Sequence, residues 1–235
     1  MSSLKLSVRL EALAKLVPQS GSVADVGTDH GYIPVWLAQN GHHGALYATD
    51  IKMAPLENAR MTAEEYGQAG AINFYLCDGL SAIREIAIET VIIAGMGGEN
   101  IAAILEAAPW VRENNCFLIL QPMSKSAYLR SWLFENGYKV LSEQLADDGG
   151  IYEILTARAG NDLPYSPAEL LIGHRQLICG SPLFVRRLEA LIVKAKRAVS
   201  GLSASRKGGD TERLTKLKEA LISLQELKNS GLPTA

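Results

Sequence analysis

The sequence has few features that would place the protein in a membrane or an oxidising compartment. No apolar run reaches the roughly 20 residues that a membrane-spanning helix needs. Arg9 and Glu11 interrupt the apolar segment that a signal peptide would require. Only three cysteines occur, Cys77, Cys116 and Cys179, and their spacing fits neither a disulfide framework nor a metal site. We therefore expect a cytoplasmic protein with reduced thiols, no bound metal and no membrane association.

Aromatic residues are also scarce, at 6%, but 48% of the 235 residues are hydrophobic, which is enough for a substantial core. This length predicts one large domain, or one domain with a small appendage. The net charge of −2 is unevenly distributed. Residues 183–235 hold eleven Lys and Arg against five Asp and Glu, a net +6 that leaves −8 for the remainder. This basic segment fits either a nucleic-acid partner or a solvated, lysine-rich helical hairpin.

Strand and helix patterns alternate through the first 136 residues. An opening amphipathic helix is predicted from apolar residues at helical spacing that end before Pro18, namely Leu6, Leu10, Leu13 and Val17. Candidate strands follow at 22–26, 45–49, 72–76, 91–95 and 116–121. Helical patterns separate them at 31–40, 54–67, 98–107 and 125–136. Strands joined by helices of this length predict right-handed βαβ units, hence an α/β fold with a parallel sheet.

The sheet is expected to finish differently from how it begins. Residues 138–144 and 151–157 are strand-like, and Asp147-Asp148-Gly149-Gly150 between them is a hairpin signal. A mostly parallel sheet that ends in an antiparallel hairpin departs from the dinucleotide-binding Rossmann fold and resembles the class I methyltransferase fold. That resemblance is an argument about fold alone.

The C-terminal part is predicted to be a separate helical unit. Gly and Pro residues cluster at 159–167, which suggests domains at 1–160 and 165–235. Two seams alternate in steps of four and three: Phe184, Leu188, Leu191, Ala195 and Ala198 in one helix, and Leu214, Leu217, Leu221 and Leu224 in the other. With a loop at 201–209 and Asp210 as the cap of the second helix, this pattern predicts an antiparallel coiled-coil hairpin.

The segment Asp25-Val26-Gly27-Thr28-Asp29-His30-Gly31 carries the strongest chemical signal. Glycines after a strand let the backbone approach a ligand, and Asp50 ends the next strand, where a carboxylate can accept ribose hydroxyls. A pyrophosphate-binding loop would have glycine where Asp29 stands, so a cationic ligand such as S-adenosylmethionine fits better. The competing interpretation is an ordinary strand-to-helix loop, with Asp50 as a helix cap.

Three further strand ends carry polar or glycine-rich segments. Asp78-Gly79-Leu80 fits an adenine site or a simple turn, and Ala94-Gly95-Met96-Gly97-Gly98 suggests a loop over which a planar ligand lies. Gln121 ends the fifth strand, where it either lines the cleft or caps a loop. His30 is either structural or part of the cleft.

These motifs together resemble one family. The matching segments are Leu4-Lys5-Leu6-Ser7, Arg9, the stretch from Asp25 to Pro34, Ala94-Gly95-Met96-Gly97-Gly98, Leu120-Gln121-Pro122, and Asp148-Gly149 with Tyr152-Glu153. They are similar to the bacterial tRNA (adenine-22-N1)-methyltransferases, from the first helix to about residue 160. The resemblance implies S-adenosyl-L-methionine as methyl donor, tRNA as acceptor and N1 of adenine 22 as the target.

The strand-end motifs, the resemblance and the basic C-terminal segment together suggest roles for individual residues. Cofactor binding is expected from Asp25, Gly27, His30, Gly31, Asp50, Ile51, Asp78, Gly79, Leu80, Ala94, Gly95 and Met96. Substrate binding is expected from Lys5, Arg9, Gly97, Gly98, Gln121, Arg186, Arg187, Lys194, Arg197, Arg206 and Lys207. Asp29 is the candidate catalytic carboxylate, facing the positive charge that develops on the methylated adenine, with cofactor binding as its alternative role.

Two other functions remain open from the sequence. One is a methyltransferase that acts on another RNA or on a small molecule, and the other is a nucleotide- or RNA-binding protein without catalysis. The sequence leaves the oligomeric state undecided, with a monomer as the simplest expectation.

Overall fold

The computed structural model describes residues 3–178, 180–204 and 211–229. Its centre is a seven-stranded sheet in the order β3-β2-β1-β4-β5-β7-β6. The strands are β1 (Val23–Val26), β2 (Leu46–Asp50), β3 (Ile72–Leu76), β4 (Thr90–Gly97), β5 (Phe117–Ser124), β6 (Tyr138–Asp147) and β7 (Ile151–Ala159). The first five are parallel, and β7 runs antiparallel to both β5 and β6. The predicted α/β fold of the class I methyltransferase type, ending in an antiparallel hairpin, is confirmed.

Helices cover both faces of this sheet. They are α1 (Val8–Ala14), α2 (Tyr32–Gln39), α3 (Met53–Glu65), α4 (Gly98–Glu106), α5 (Trp110–Glu113) and α6 (Ser126–Glu135). The C-terminal helices are α7 (Pro167–Ile172), α8 (Arg175–Ile178), α9 (Phe184–Ala204) and α10 (Thr211–Asn229). A short 3₁₀ turn spans Ser81–Ile83. The short elements at 81–83, 110–113, 167–172 and 175–178 have too few residues to produce a hydrophobic period, so the sequence did not predict them.

The two faces of the sheet belong to two apolar cores. On β4, Val91 and Ile93 point into one core, where Ile101 of α4 also packs. Ile92 points the other way, to the core that contains Leu13 of α1 and Val35 of α2. This follows from the period of two in a strand, which sends successive side chains to opposite faces. The carboxyl edge of the sheet, where α2, α3 and α4 begin, is left open to ligands.

The C-terminal helices have a core of their own. Phe184, Leu188 and Leu191 of α9 pack with Leu224 of α10, as the predicted seams require. However, α9 continues through Gly201 to Ala204, whereas the sequence suggested a loop from 201. A glycine inside a helix costs only about 1 kcal/mol relative to alanine, which the packed seam outweighs. The predicted loop from 205 and its cap Asp210 lie outside the described residues.

A buried ionic network attaches these helices to the sheet. The guanidinium of Arg130, on α6, is fully buried and bonds Glu143 at 2.6 Å and Glu153 at 3.0 Å. It also donates to the Leu170 carbonyl of α7, while Arg187 of α9 bonds Glu153 at 2.8 Å. Burial opposes charge on these groups, but the opposite charges prevail, so the pKa of Arg130 is raised and the pKa of Glu153 lowered. One cluster therefore joins α6, β6, β7, α7 and α9.

Candidate active site at the carboxyl edge of the sheet

Three acidic residues mark the carboxyl ends of β1, β2 and β3. Asp25 lies within β1 and Asp50 ends β2, and both are almost fully buried. Asp78 follows β3 by two residues. An oxygen of Asp50 accepts a hydrogen bond from the Lys52 backbone N–H at 2.9 Å, which holds this carboxylate at the strand end. The parallel topology thus gathers three carboxylates at one edge, as the sequence predicted.

Asp25 has an unusual electrostatic environment. Burial raises the pKa of its carboxyl to about 6, an effect that the hydrogen bond from Thr28 (2.6 Å) opposes and the nearby charge of Asp50 increases. The ionised form of Asp25 is therefore costly unless a cation lies beside it. No Lys or Arg bonds this carboxylate among the described residues. A cationic ligand would therefore stabilise its ionised form.

A cavity of about 450 Å³ opens beside Asp50, and we name it the Asp50 cavity. Its lining includes six of the residues that the sequence assigned to a cofactor: Gly27, Asp50, Ile51, Asp78, Gly79 and Met96. Neither Lys nor Arg lines this cavity in the described chain, whereas two carboxylates do. A ligand with several phosphates would be repelled here, and a ligand with hydroxyls or positive charge would be bound.

Leu80 follows Asp78 by two residues. It is buried, and it lines an adjoining cavity of about 380 Å³ together with Asp78, Gly79 and Trp110. The placement is consistent with an apolar wall next to the Asp50 cavity.

A second opening of about 320 Å³ lies on the other side of Gly27, and we name it the Tyr32 cavity. Gly27 borders both cavities, so they adjoin across the β1–α2 loop. Besides Gly27, its lining includes Tyr32 of α2 and six of the predicted site residues: Arg9, Asp25, Asp29, His30, Ala94 and Gly95. The structure therefore brings the first and fourth strand ends together at one site.

The β1–α2 loop is held in a narrow set of conformations. Gly31 has a φ of +66°, and a Cβ there would lie 2.9 Å from the Cβ of Ala59, so only glycine fits. Asp29 also has a positive φ, +52°, a region that Asp enters more readily than most residues. Its side chain is 68% exposed and lies 3.8 Å from His30. Asp29 is thus a solvated carboxylate at the cavity, unlike the buried Asp25.

The loop after β4 contains a bulge at Gly95. The register with β5 shifts between Ala94 and Met96, and Gly95 has a φ of +77°. Its backbone N–H donates to the side-chain oxygen of Gln121 at 3.2 Å. Bulges of this kind redirect a strand next to a binding site, and here the bulge opens the Tyr32 cavity beside Ala94 and Gly95.

Gln121 is completely buried and uses its whole amide within the protein. Its oxygen accepts from Gly95 N–H and from the guanidinium of Arg9 (2.7 Å), and its nitrogen donates to the Pro122 carbonyl. The sequence suggested a direct substrate contact for Gln121. The structure instead places it behind the cavity wall, where it orients Arg9 and the Gly95 bulge.

Arg9, an expected substrate-binding residue, lines the Tyr32 cavity. Besides its bond to Gln121, its guanidinium lies over the ring of Tyr152 at 5.4 Å from the centroid. Its backbone N–H donates to Asp148 at 3.4 Å. Asp148 and Tyr152 were recognised as motif residues, but their contact to Arg9 depends on how β6 and β7 approach α1, which the sequence does not reveal.

The remaining expected substrate residues fall at several places. Gly98 is buried, and a Cβ there would lie 2.4 Å from the Lys125 carbonyl oxygen, so this glycine permits close packing of α4 against the start of α6. Gly97 precedes it as the cap of α4. Lys5 is exposed near the N-terminus. Neither glycine lines either of the two cavities.

The cations of α9 divide into two groups. Arg187 is paired with buried Glu153, and Arg186 bonds Asp147 at 2.7 Å, so both help to hold α9 on the β6–β7 hairpin. Lys194 and Arg197 are exposed, three residues apart on α9. Arg206 and Lys207 lie outside the described residues.

The described residues contain no cluster of three His, Cys, Asp or Glu side chains that could hold a metal ion. None of the helices in this part of the chain has the length and apolar character required to cross a membrane.

The chain is similar to proteins of a known family. A family model described as a methyltransferase domain matches residues 6–155. The tRNA (adenine(22)-N(1))-methyltransferase of Bacillus subtilis is 34% identical over 196 residues, covering 83% of this chain and 81% of that protein. Putative tRNA methyltransferases of Mycoplasma genitalium and Mycoplasma pneumoniae are 33% and 30% identical over 155 residues.

Solved structures agree over nearly the whole chain. The crystal structure of the B. subtilis m1A22 tRNA methyltransferase TrmK has a TM-score of 0.83 at 30% identity, covering 95% of this chain and 99% of that one. A putative tRNA (m1A22) methyltransferase of Streptococcus pneumoniae, solved with S-adenosyl-L-methionine, has a TM-score of 0.81 at 30% identity and the same coverage. On these similarities and the fold, the chain belongs to the tRNA (adenine(22)-N(1))-methyltransferase family.

Proposed function

We propose that the protein transfers the methyl group of S-adenosyl-L-methionine to N1 of adenine 22 in tRNA, as its family name describes. The observation that carries this proposal is the pair of adjoining cavities that meet at Gly27. Asp50 and Asp78 line the first, and Asp25, Asp29 and Tyr32 line the second. A donor whose ribose lies in the first cavity and whose methionine part reaches Asp25 would meet an acceptor base held in the second.

The chain's residues fit S-adenosylmethionine as the donor. The buried carboxyl of Asp25, with its raised pKa, suits the ammonium group of the methionine part, which would favour the ionised acid. Asp50 is placed for ribose hydroxyls, and Asp78 with Leu80 for the adenine ring. When bound, the cofactor supplies a methyl group on a sulfonium, which a ring nitrogen can attack directly.

The protein's own contribution is mainly positioning. Adenine N1 carries a lone pair near neutral pH and needs no strong base, so alignment of the two reactants provides much of the rate. The product ring is cationic, and the carboxylate of Asp29 at the cavity would stabilise the charge as it develops. Gln121 and Tyr152 hold the Arg9 guanidinium at the same wall, where it is available to a phosphate of the substrate.

We further propose that the C-terminal helices bind the tRNA backbone. Lys194 and Arg197 present exposed charge on α9, and Lys5 adds to it from the N-terminal segment. The segment 165–235 would then act as the docking unit for the methyltransferase body at 1–160. Phosphate contacts of this kind should weaken steeply as salt concentration rises. Because tRNA is its substrate, we place the protein in the cytoplasm.

Labelled methyl transfer tests the proposed function. Full-length protein is incubated with methyl-labelled S-adenosylmethionine and either an unmodified tRNA with adenine 22 or the same tRNA with guanine 22. We expect label only in the first tRNA. Equal labelling of both would reject adenine 22 as the target, and no cofactor binding by calorimetry at millimolar concentration would reject the methyltransferase function altogether.

A further inference from the structure

Two aromatic rings, those of His30 and Tyr32, are stacked at the Tyr32 cavity. The ring centroids of His30 and Tyr32 are 5.2 Å apart, and the ring planes differ by only 11°. The side chain of His30 is 45% exposed, and Tyr32 as a residue is 38% exposed. Offset stacking of this kind covers one face of each ring and leaves the outer faces open to the cavity and to solvent.

The backbone holds this pair in place. Gly31 separates the two residues and has a left-handed backbone conformation. A Cβ at this position would collide with Ala59. Its N–H donates to the Thr28 carbonyl at 2.9 Å, and its own carbonyl accepts from Val35 N–H in the first turn of α2. The rings are therefore presented by a turn with hydrogen bonds on both sides, not by a free loop.

Other apolar groups complete the outer part of the cavity. Met123, near the carboxyl end of β5, is 51% exposed, and Leu10 of α1 lines the same space. The inner wall is different, since Asp25 and the Gly95 bulge lie there. The Tyr32 cavity therefore has a polar inner wall at Asp25, and an outer part where Leu10, Met123 and the ring of Tyr32 offer apolar surface beside Arg9 and Asp29. A planar ring is a ligand that suits such apolar surface.

We propose that Tyr32, supported from behind by His30, is the platform on which the target adenine lies during methyl transfer. The inference rests on the proposed function and adds a substrate-binding residue to it. A base that has left its stack regains stacking on an aromatic face. Methylation at N1 makes the adenine ring cationic, and an aromatic face attracts a cation more strongly than a neutral ring. The platform would thus favour the transition state over the bound substrate.

The test compares two substitutions of the full-length protein. Tyr32→Phe keeps an aromatic face and should keep kcat within about twofold. Tyr32→Leu keeps apolar bulk but removes the face, and we expect kcat/KM for tRNA to fall about 5- to 150-fold, the range that base–aromatic stacking gives. Phe134→Leu, at an exposed aromatic residue on α6, is the matched control and should be unaffected.

A second measurement reports stacking directly. A tRNA with 2-aminopurine at position 22 is bound with S-adenosylhomocysteine present, so that no reaction occurs. An aromatic platform quenches the fluorescence of this base, so the Tyr32→Leu complex should be brighter than the wild-type and Tyr32→Phe complexes. Calorimetry with S-adenosylmethionine should give the same affinity for all three proteins.

The results of these experiments distinguish a failure of the Tyr32 platform from a failure of the proposed function. Unchanged turnover and fluorescence in Tyr32→Leu would overturn the platform, while wild-type methylation of tRNA would leave the proposed function intact. A loss of cofactor affinity with unchanged turnover at saturation would also overturn it, because Tyr32 would then be a cofactor ligand. If wild-type protein methylates no tRNA, the proposed function itself fails.

Discussion

At the scale of single residues, Asp25 couples the protonation of the site to its ligand. An acid whose pKa rises from 3.8 unfolded to about 6 folded binds its proton more tightly in the native state. The stability of the free protein therefore falls as pH rises from about 4 to 6, and the cost remains above pH 6. A cation bound beside Asp25 would offset that cost.

This coupling predicts a pH-dependent affinity for S-adenosylmethionine. Below pH 6 the ligand must displace a proton from Asp25, so we expect the affinity to fall about fivefold from pH 6 to pH 5. Calorimetry across pH 5 to 7 measures this. Asp25→Asn should bind weakly without that slope, and its free form should be more stable than wild type at pH 8. A wild-type affinity independent of pH would show that Asp25 does not meet the ammonium.

Asp29 differs from Asp25 because it is solvated. Asp29→Asn removes the charge but tolerates the same left-handed backbone. We expect kcat with tRNA to fall roughly tenfold, a modest loss because exposed charges are screened, with little change in cofactor affinity. Single-turnover kinetics at saturating cofactor, paired with calorimetry, separates the two effects. If affinity falls and turnover does not, Asp29 holds the cofactor instead.

At the scale of secondary-structure elements, the β6–β7 hairpin connects the active site to the C-terminal helices. Asp148 and Tyr152 contact Arg9 on one side. Asp147 and Glu153 bond Arg186 and Arg187 of α9 on the other. The hairpin therefore links α9 to the cavity wall, and the buried Arg130 bonds Glu143 and Glu153 on its two strands.

Removing Arg130 should destabilise the protein strongly. Arg130→Met leaves Glu143 and Glu153 buried with one cation fewer, and breaking a buried ion pair in this way costs about 3–5 kcal/mol. Arg84→Met, at an arginine whose side chain is 73% exposed, should change stability very little. Urea unfolding of both variants measures the difference. Equal stability of the two variants would mean that the network contributes nothing.

The elements show what the sequence can and cannot predict. Every long element was predicted within a few residues, because the periods of two and 3.6 are repeated enough to be recognised. Arg130 was not singled out, since in sequence it is one more cation on a helix. Its partners Glu143 and Glu153 reach it only through the pairing of β6 with β7. The same tertiary packing brings Arg9 to the cavity.

At the scale of the whole molecule, the exposed cations of α9 offer a test of tRNA docking that leaves the fold intact. Removing residues 165–235 would uncover the Arg130 network, so point substitutions are the cleaner experiment. Lys194→Glu with Arg197→Glu should raise KM for tRNA and reduce its dependence on salt, because two phosphate contacts are lost. Cofactor affinity should not change.

The control for this experiment lies elsewhere on the surface. Lys139 on β6 is exposed and distant from α9 in sequence, and Lys139→Glu changes the net charge without altering the proposed docking helix. We expect its salt dependence to match wild type. If Lys139→Glu weakens tRNA binding as much as a single change at Lys194, the effect is one of net charge and α9 is not the docking helix.

The position of the methyl group on the tRNA tests the proposed reaction most directly. A methyl on N1 blocks the pairing edge of adenine, so reverse transcription of the treated tRNA stops beside the modified base. After the tRNA has been incubated with the enzyme and S-adenosylmethionine, we expect a stop at adenine 22. This stop should disappear when the enzyme is omitted. A stop at another adenine, or methylated tRNA without any stop at position 22, would contradict it.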